Sequence, residues 1–151
     1  CIPYLQQATN PHVLMISPPL DMQIHWFAPH VAYTIAKYGM SMCVLGMAEE
    51  FRKDRIAFNA LWPRTTIATA AIGNVVGGVE MLARSRSPTI MTDAAHVILT
   101  KPSKEFTGNF CIDERLLAEH GETDFSKYAI DPSKKLQPDF MIPHDIPPPM
   151  Q

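Results

Sequence analysis

The sequence has little positive charge, and this excludes one large class of partners. Its 151 residues carry 13 lysines and arginines against 15 acidic residues, which gives a formal net charge of −2. The basic residues are scattered, and an adjacent pair such as Lys134-Lys135 is far short of the basic stripe that a nucleic-acid-binding domain presents to phosphates. We therefore expect no nucleic-acid partner.

Long apolar runs and metal-binding patterns are also missing from the sequence. No window holds eighteen consecutive apolar residues, so we expect no membrane span. The three cysteines, Cys1, Cys43 and Cys111, are odd in number and widely spaced, which indicates free thiols in a reducing compartment. Cys43 is expected to be a small core residue. The six histidines show no His-x-x-x-His pair, so we expect no metal site.

Three consecutive segments predict a strand, a helix and a second strand. Residues His12 to Ser17 form a short apolar run that is typical of a fully buried parallel strand. Val31 to Arg52 has alanine, leucine and methionine at helical spacing without proline, and we expect Arg52 and Lys53 in the last helical turn. Ile56 to Trp62 reads as a second buried strand. This order predicts a parallel crossover.

The remaining segments complete an α/β pattern. Glycines interrupt the alanine-rich stretch from Thr66 to Arg86, which favours a mobile flap over one continuous helix. From about Lys134 the chain is rich in proline and forms neither a helix nor a central strand. Between these segments we predict a helix after Pro88 that ends before Pro102, a strand over Thr107–Ile112 and a short helix over Asp113–His120.

A tyrosine and a lysine at helical spacing carry the chemistry. Tyr33 and Lys37 are four residues apart and therefore share one face of the long helix. A free phenol has a pKa of about 10, and a nearby cation favours the phenolate. Ser17 follows the preceding strand, at the edge where open parallel sheets bind ligands. The three groups could converge on one carbonyl, with the phenol as general acid or base.

Each of these residues also has an ordinary interpretation. A Tyr-x-x-x-Lys pair occurs by chance in many helices, and a serine at a strand end is often only a cap. The order of the segments is more specific than any single residue. A strand ends in Ser17, a long helix begins near Tyr33, and a further strand ends in Trp62-Pro63.

These residues resemble the short-chain dehydrogenase/reductase family over roughly Cys1 to Ile112. The resemblance is carried by Ser17, the stretch Tyr33-Thr-Ile-Ala-Lys37 and the stretch Asn59-Ala-Leu-Trp-Pro63. It implies a Rossmann-like parallel sheet with flanking helices and a cofactor that is NADP or NAD. By this likeness Tyr33 is the acid, Lys37 supports it and holds the nicotinamide ribose, and Ser17 positions the carbonyl.

The resemblance also assigns residues to the cofactor after the second strand. Besides Tyr33 and Lys37, it implies that Pro63, Ile67 and Thr69 touch the nicotinamide. Most family members have a glycine after the proline, where this chain has Arg64. We therefore expect the turn to avoid positive φ or to shift slightly.

The resemblance sets expectations for domains, partners and location. Residues 1–133 correspond to a partial dehydrogenase domain without the glycine-rich cofactor half, which would precede Cys1, and residues 134–151 are expected to be a tail or linker. Helices like 31–52 often form the subunit contact, which implies a homo-oligomer. The long loop before Tyr33 contains Trp26-Phe27 and suggests a small apolar substrate, with an acyl or sterol-like carbonyl or alcohol. The likeness implies a peroxisome or mitochondrion.

Two functions of different classes remain open at this point. The first is an NAD(P)-dependent oxidoreductase that acts on a carbonyl or alcohol, with Tyr33 passing the proton. The second is a non-catalytic fragment that acts as a dimerisation module or a lipid-related interaction module.

Overall fold

The protein has an α/β fold built around a small parallel sheet, as the sequence predicts. The structure is a computed structural model and describes residues 1–143 and 145–150. The chain divides into two compact units. The first unit comprises Cys1–Trp62 and Ala95–Cys111, and the second comprises Pro63–Ala94 and Ile112–Gln151.

Six α-helices and three strands are present in the described residues, with one π-helical and one 3-10 segment. The strands form one sheet in the order β1-β2-β3. In chain order the elements are α1 (Ile2–Leu5), β1 (His12–Ile16), α2 (Ile24–Phe27), α3 (Val31–Glu50), β2 (Ala57–Trp62), the π-helix Ile72–Val76, α4 (Gly78–Ala83), α5 (Thr89–Thr100), β3 (Phe110–Ile112), α6 (Asp113–Glu119) and the 3-10 turn Ser126–Tyr128.

The predicted parallel crossover is confirmed. Strands β1 and β2 pair in parallel, from His12 opposite Ala57 to Ile16 opposite Leu61. Every residue of β2 is buried, but β1 is only half-buried and Ile16 is exposed. The expectation of a fully buried first strand was therefore wrong. β1 lies at the edge of the sheet, with a neighbouring strand on one side only among the described residues.

Helix α3 ends two residues earlier than the sequence pattern predicts. It stops at Glu50, and Phe51 caps it with a non-helical ψ of 13°. Arg52 therefore lies beyond the helix, where its Nε contacts Glu49 Oε2 at 2.6 Å. The chain then turns through Arg55, whose φ of 61° lies in the left-handed region. Basic residues near a helix end favour its C-terminus but do not fix the last residue.

The core of the first unit lies between α3 and β2. Val44 and Ala48 of α3 are buried against Phe58 and Ala60, which lie on β2. The other face of α3 is exposed, and Cys43 lies on it. The expectation that Cys43 is a core residue was wrong. Helix α3 is apolar on most of its circumference, so its sequence does not show which face is buried.

In the second unit, glycines separate two short helical segments. The π-helix Ile72–Val76 and α4 meet at Gly77 and Gly78. A Cβ at Gly77 would lie 2.6 Å from the Cβ of Met81, and Gly78 has a φ of +64°. Both positions require glycine for steric reasons. The prediction that glycines prevent one continuous helix in this segment is confirmed.

The proline-rich segment packs within the second unit. Leu136, Met141 and Ile142 are buried. The Gln137 N–H donates to the Arg84 carbonyl at 2.9 Å, and the Gln137 carbonyl accepts from the Thr66 N–H at 2.9 Å. The described part of residues 134–151 contains no helix, as its prolines require.

Candidate active site

Ser17 and Trp62 mark the carboxyl ends of the two paired strands. Each residue comes directly after the Ile16–Leu61 pair, so the two occupy equivalent positions in the parallel register. Ser17 is completely buried, and its Oγ has no hydrogen-bond partner among the described residues. Trp62 is 3% exposed. A buried hydroxyl without a partner is rare in folded proteins and is often found at a functional site.

Tyr33 and Lys37 lie on α3 at the spacing that the sequence predicts. Tyr33 is 46% exposed. The Lys37 ammonium donates from Nζ to the Ile16 carbonyl at 3.1 Å and lies 5.1 Å from the centroid of the Trp62 ring. Because Ile16 directly precedes Ser17, this bond brings Lys37 to the end of β1 that carries Ser17. The structure thus joins Lys37 to the strand end that the sequence assigned to catalysis.

Three buried side chains of α3 anchor the loop that connects β1 to this helix. They lie on one helical face and donate to main-chain carbonyls of the loop. Each bond satisfies a hydroxyl that burial would otherwise penalise. The three bonds run from Ser41 Oγ to Pro18 at 2.6 Å, from Tyr38 Oη to Asp21 at 2.7 Å and from Thr34 Oγ1 to Trp26 at 2.5 Å.

Asp21 and Trp26 fix the centre of the same loop. Trp26 Nε1 donates to Asp21 Oδ2 at 2.8 Å, and Trp26 is buried. Burial raises the pKa of Tyr38, so its phenol stays a neutral donor to the loop. The loop beyond Ser17 is therefore held in place by defined bonds.

Residues 63–69, which the resemblance assigns to the nicotinamide, lie in the second unit. Pro63 is buried and Ile67 is half-buried. Ile67 forms a β-bridge with Arg86. Thr69 is exposed, and its Oγ1 accepts a hydrogen bond from the Ile72 N–H at 3.5 Å. The contact of Pro63, Ile67 and Thr69 with a nicotinamide stays a prediction.

Arg64 replaces the family glycine without backbone strain. It is not among the residues with positive φ, which confirms that the turn avoids this region. Its N–H donates instead to Asp113 Oδ1 at 2.8 Å. Burial is the main cause that lowers the pKa of the Arg64 guanidinium. A carboxylate from 49 residues away therefore stabilises the turn.

The second unit holds a buried charge cluster, which we define as Arg64, Arg86, Asp113 and Glu114. Arg86 is fully buried, and its Nη1 lies 2.6 Å from Glu114 Oε2. Burial raises the pKa of Asp113 to about 6, although its carboxylate accepts N–H groups from Arg64 and Glu114. The sequence analysis missed this cluster. No spacing rule connects its members, because their contacts depend on tertiary packing.

The described part of the chain shows neither a cluster of metal ligands nor a membrane-spanning helix. Among residues 1–143 and 145–150, no group of three or more histidine, cysteine, aspartate or glutamate side chains could hold a metal ion. No helix in the same part of the chain has the length and apolarity needed to cross a membrane.

The geometry defines the class of protein: an α/β fold with a Tyr-x-x-x-Lys helix, and a serine at the neighbouring strand end, is that of a short-chain dehydrogenase. The chain belongs to the short-chain dehydrogenase/reductase family. It is homologous to hydroxysteroid dehydrogenase-like protein 2 and is 56% identical over 142 residues to the proteins of Bos taurus and Homo sapiens. It is 53% identical over 149 residues to that of Danio rerio.

Solved structures show the same relationship. An inferred dehydrogenase from Xanthomonas campestris is 49% identical with a TM-score of 0.90, and covers 95% of the chain. A short-chain dehydrogenase from Mycobacterium thermoresistibile is 48% identical with a TM-score of 0.86, and covers 98%. No protein-family model matches.

The chain is shorter than all of these relatives. The bovine and human proteins each align with 94% of this chain, which spans 33% of their length. The zebrafish protein aligns with 97%, and the chain spans 35% of it. The chain spans 52% of each solved structure.

Proposed function

We propose that the chain carries the catalytic residues of an NAD(P)-dependent oxidoreductase that acts on a carbonyl or alcohol of an apolar, acyl or sterol-like substrate. One observation carries the proposal. Lys37 lies on the same helix as Tyr33, and its ammonium donates to the Ile16 carbonyl. The adjacent Ser17 is buried, and its Oγ has no partner in the part of the chain that the structure describes. A peroxisomal or mitochondrial location is part of this proposal and rests on the resemblance.

The three side chains have separate tasks in this proposal. Tyr33 donates a proton to the substrate oxygen during reduction and accepts it during oxidation. The positive charge of Lys37 favours the phenolate form of Tyr33. Ser17 Oγ donates a hydrogen bond to the same substrate oxygen and holds it in line with the phenol. A bound nicotinamide cofactor supplies or accepts the hydride.

The residues present fit part of a cofactor site. An ammonium has three N–H donors, and Lys37 uses one of them on Ile16, so two further donors can serve ribose hydroxyls. The unpartnered Ser17 Oγ fits a ligand oxygen at the same strand end. By the family likeness Pro63, Ile67 and Thr69 would contact the nicotinamide. Within the first unit, Lys37 and Ser17 would therefore hold the nicotinamide end of NADP or NAD.

The loop over the strand end supports an apolar substrate. Met22 and Ile24 follow the anchored Asp21, and they are 67% and 81% exposed. Exposed side chains of this size are costly in water and gain free energy when a ligand covers them. These two residues support the apolar character of the proposed substrate.

A cofactor titration and one substitution test the proposal. NADPH and NADH are added to the chain while nicotinamide fluorescence is followed, and turnover is measured with a panel of apolar ketones. We expect saturable binding, and we expect Tyr33→Phe to lower turnover roughly 10²- to 10⁴-fold with binding retained. Tyr4→Phe is the control, because Tyr4 is 80% exposed outside the site. Unchanged turnover in Tyr33→Phe would contradict the proposal.

A second candidate function is a dimerisation module, in which α3 forms a contact with another copy of the chain. The exposed face of α3 carries Ile35, Met42 and Leu45, which are 61%, 50% and 57% exposed. This apolar face supports the homo-oligomer that the resemblance implies. The same non-catalytic alternative includes a lipid-related interaction module.

Ile35→Asp tests the contact through α3. A charge on the exposed face would oppose association, so we expect sedimentation to show at least tenfold weaker self-association than in the unmodified chain. Val75→Asp is the matched control, since Val75 is 82% exposed in the second unit. Equal association of both variants would exclude α3 as the subunit contact.

A further inference from the structure

Trp62 contacts Lys37, which is the one cation among the candidate catalytic residues Ser17, Tyr33 and Lys37. Its ring centroid is 5.1 Å from Lys37 Nζ, and the side chain is 3% exposed. This distance lies within the range of about 6 Å in which a cation is attracted to an aromatic face. Tryptophan has the strongest attraction of the aromatic side chains, and burial increases its effect.

The Lys37 ammonium is thus held from two sides. Its Nζ donates to the Ile16 carbonyl at 3.1 Å, and the Trp62 ring contacts the cation at the adjacent strand end. A lysine side chain loses substantial rotamer freedom when it is held in one place. A single bond to a carbonyl fixes one donor direction, whereas the ring also restricts the position of the ammonium.

The register of the sheet explains why the ring reaches this position. Ile16 pairs with Leu61, so the residue after Leu61 lies level with Ser17 at the carboxyl ends of the strands. A large side chain at position 62 can therefore contact Lys37 of α3, whose ammonium donates to the Ile16 carbonyl. Trp62 is large enough to do so while remaining buried.

We infer that Trp62 is a positioning residue, whose ring holds the Lys37 ammonium at the strand end that carries Ser17. The inference rests on the proposed function, in which Lys37 supports Tyr33 and a ribose. Trp62 touches neither reacting atom and acts through Lys37. Loss of the ring would leave the ammonium with the Ile16 bond alone and a wider range of positions.

Fluorinated tryptophan tests the inference without a change of side-chain shape. Mono-, di- and trifluorinated indoles have progressively weaker negative faces. We expect the acylation rate of Lys37, measured by peptide mass spectrometry with limiting acetylating reagent, to rise roughly two- to fivefold across the series. The increase follows from an amine that leaves the ring more often and becomes accessible to the reagent.

Two controls separate the ring effect from general loosening of the fold. Lys101 lies 5.0 Å from the Phe106 ring, which the labelling does not change, so its acylation rate is the internal reference. The chain has two tryptophans, so Trp62→Phe leaves Trp26 as the labelled residue. Fluorination of this variant should not change the acylation rate of Lys37. A Lys37-to-Lys101 rate ratio that does not change across the series in the unmodified chain overturns the inference.

The outcome is independent of the test of the proposed function. Acylation of Lys37 requires no cofactor and no turnover. The acylation series can therefore contradict the positioning role of Trp62 even if Tyr33→Phe lowers turnover as expected. A positive acylation series predicts that Trp62→Phe lowers kcat less than Trp62→Leu, because phenylalanine keeps an aromatic face. In a chain that turns over, equal kcat in the two variants would overturn the positioning role. In a chain without turnover, the acylation series alone decides it.

Discussion

Each of the two units of the protein buries a polar side chain, Ser17 in the first and Arg86 in the second, and the surroundings of these two side chains differ. In the first unit, Ser17 is completely buried and its Oγ has no hydrogen-bond partner within residues 1–143 and 145–150. In the second unit, Arg86 is equally buried, but Glu114 lies 2.6 Å away. The first arrangement leaves hydrogen-bonding capacity for a ligand, and the second uses it to hold the chain together. Atoms of the buried charge cluster, among them Arg64 Nε and Asp113 Oδ2, also lack a hydrogen-bond partner among the described residues. Neither burial nor a missing partner therefore identifies a functional residue by itself.

The strongest test of this comparison removes one charge of the buried pair. Arg86→Met leaves Glu114 buried without its cation, so we expect a loss of about 3 to 5 kcal/mol in the free energy of unfolding. Urea denaturation measures it. The exposed pair Arg52–Glu49 has the same 2.6 Å separation, and Arg52→Met should cost about 1 kcal/mol or less.

A double variant shows whether the cost comes from the unpaired charge. Arg86→Met with Glu114→Gln keeps the amide oxygen that can accept from the Met150 N–H, and removes both charges. We expect it to be more stable than Arg86→Met alone. A double variant that is no more stable would mean that the arginine contributes packing rather than charge.

Asp113 gives the buried charge cluster a pH dependence. Its pKa is raised to about 6 by burial, from a value near 3.8, so the folded state holds the proton more tightly than the unfolded state. The contribution of Asp113 to the free energy of unfolding is therefore greatest below about pH 4. It falls by roughly 2 to 3 kcal/mol as the pH rises to about 6. Asp113→Asn should remove this slope from urea unfolding curves measured between pH 4 and pH 7.

The exposed Asp131 provides a control of opposite sign. Hydrogen bonds from Ser133 lower the pKa of Asp131, so its contribution is present above the unfolded pKa and is lost as the pH falls. Asp131→Asn should leave the Asp113 slope intact. If both variants removed the same slope, the titrating group would not be Asp113.

The smallest effect on stability is expected at Ser17. Ser17→Ala removes a hydroxyl that has no partner among the residues that the structure describes, so the free energy of unfolding should stay the same or rise by about 1 kcal/mol, although turnover should fall. Ser85 is the matched control, because it is also fully buried but bonds to Thr66 Oγ1 at 2.8 Å and to Met81 O at 2.7 Å. We expect Ser85→Ala to cost about 1 to 3 kcal/mol. If both variants lost a similar free energy of unfolding, the difference between the unpartnered Ser17 and the hydrogen-bonded Ser85 would be contradicted.

Much of the fold of the first unit is predictable because local patterns decide it. The sequence places β2 within one residue of its observed start, and α3 begins at Val31 as predicted. The burial of β1 was overestimated, because an apolar run does not show how many strands will flank it. The exposure of Cys43 has a similar origin, since an apolar helix does not show which face meets the core.

The candidate site was predictable only in its local part. The spacing of Tyr33 and Lys37 follows from helical geometry, and Ser17 follows from its place after a strand. The contact of Lys37 with Trp62 depends on how α3 packs against the sheet, which no local pattern gives. The same is true of Arg64, whose partner Asp113 is 49 residues away and whose charge favours the surface in any sequence-based prediction.

The Arg86–Glu114 pair also has a consequence for how this sequence can evolve. A change at either position alone leaves a buried charge, whereas a joint change to neutral residues can be nearly harmless. The two positions are therefore epistatic: a substitution at one is tolerated only on a background in which the other has already changed. Drift at this pair should proceed by paired replacements, or through a chain that is briefly much less stable.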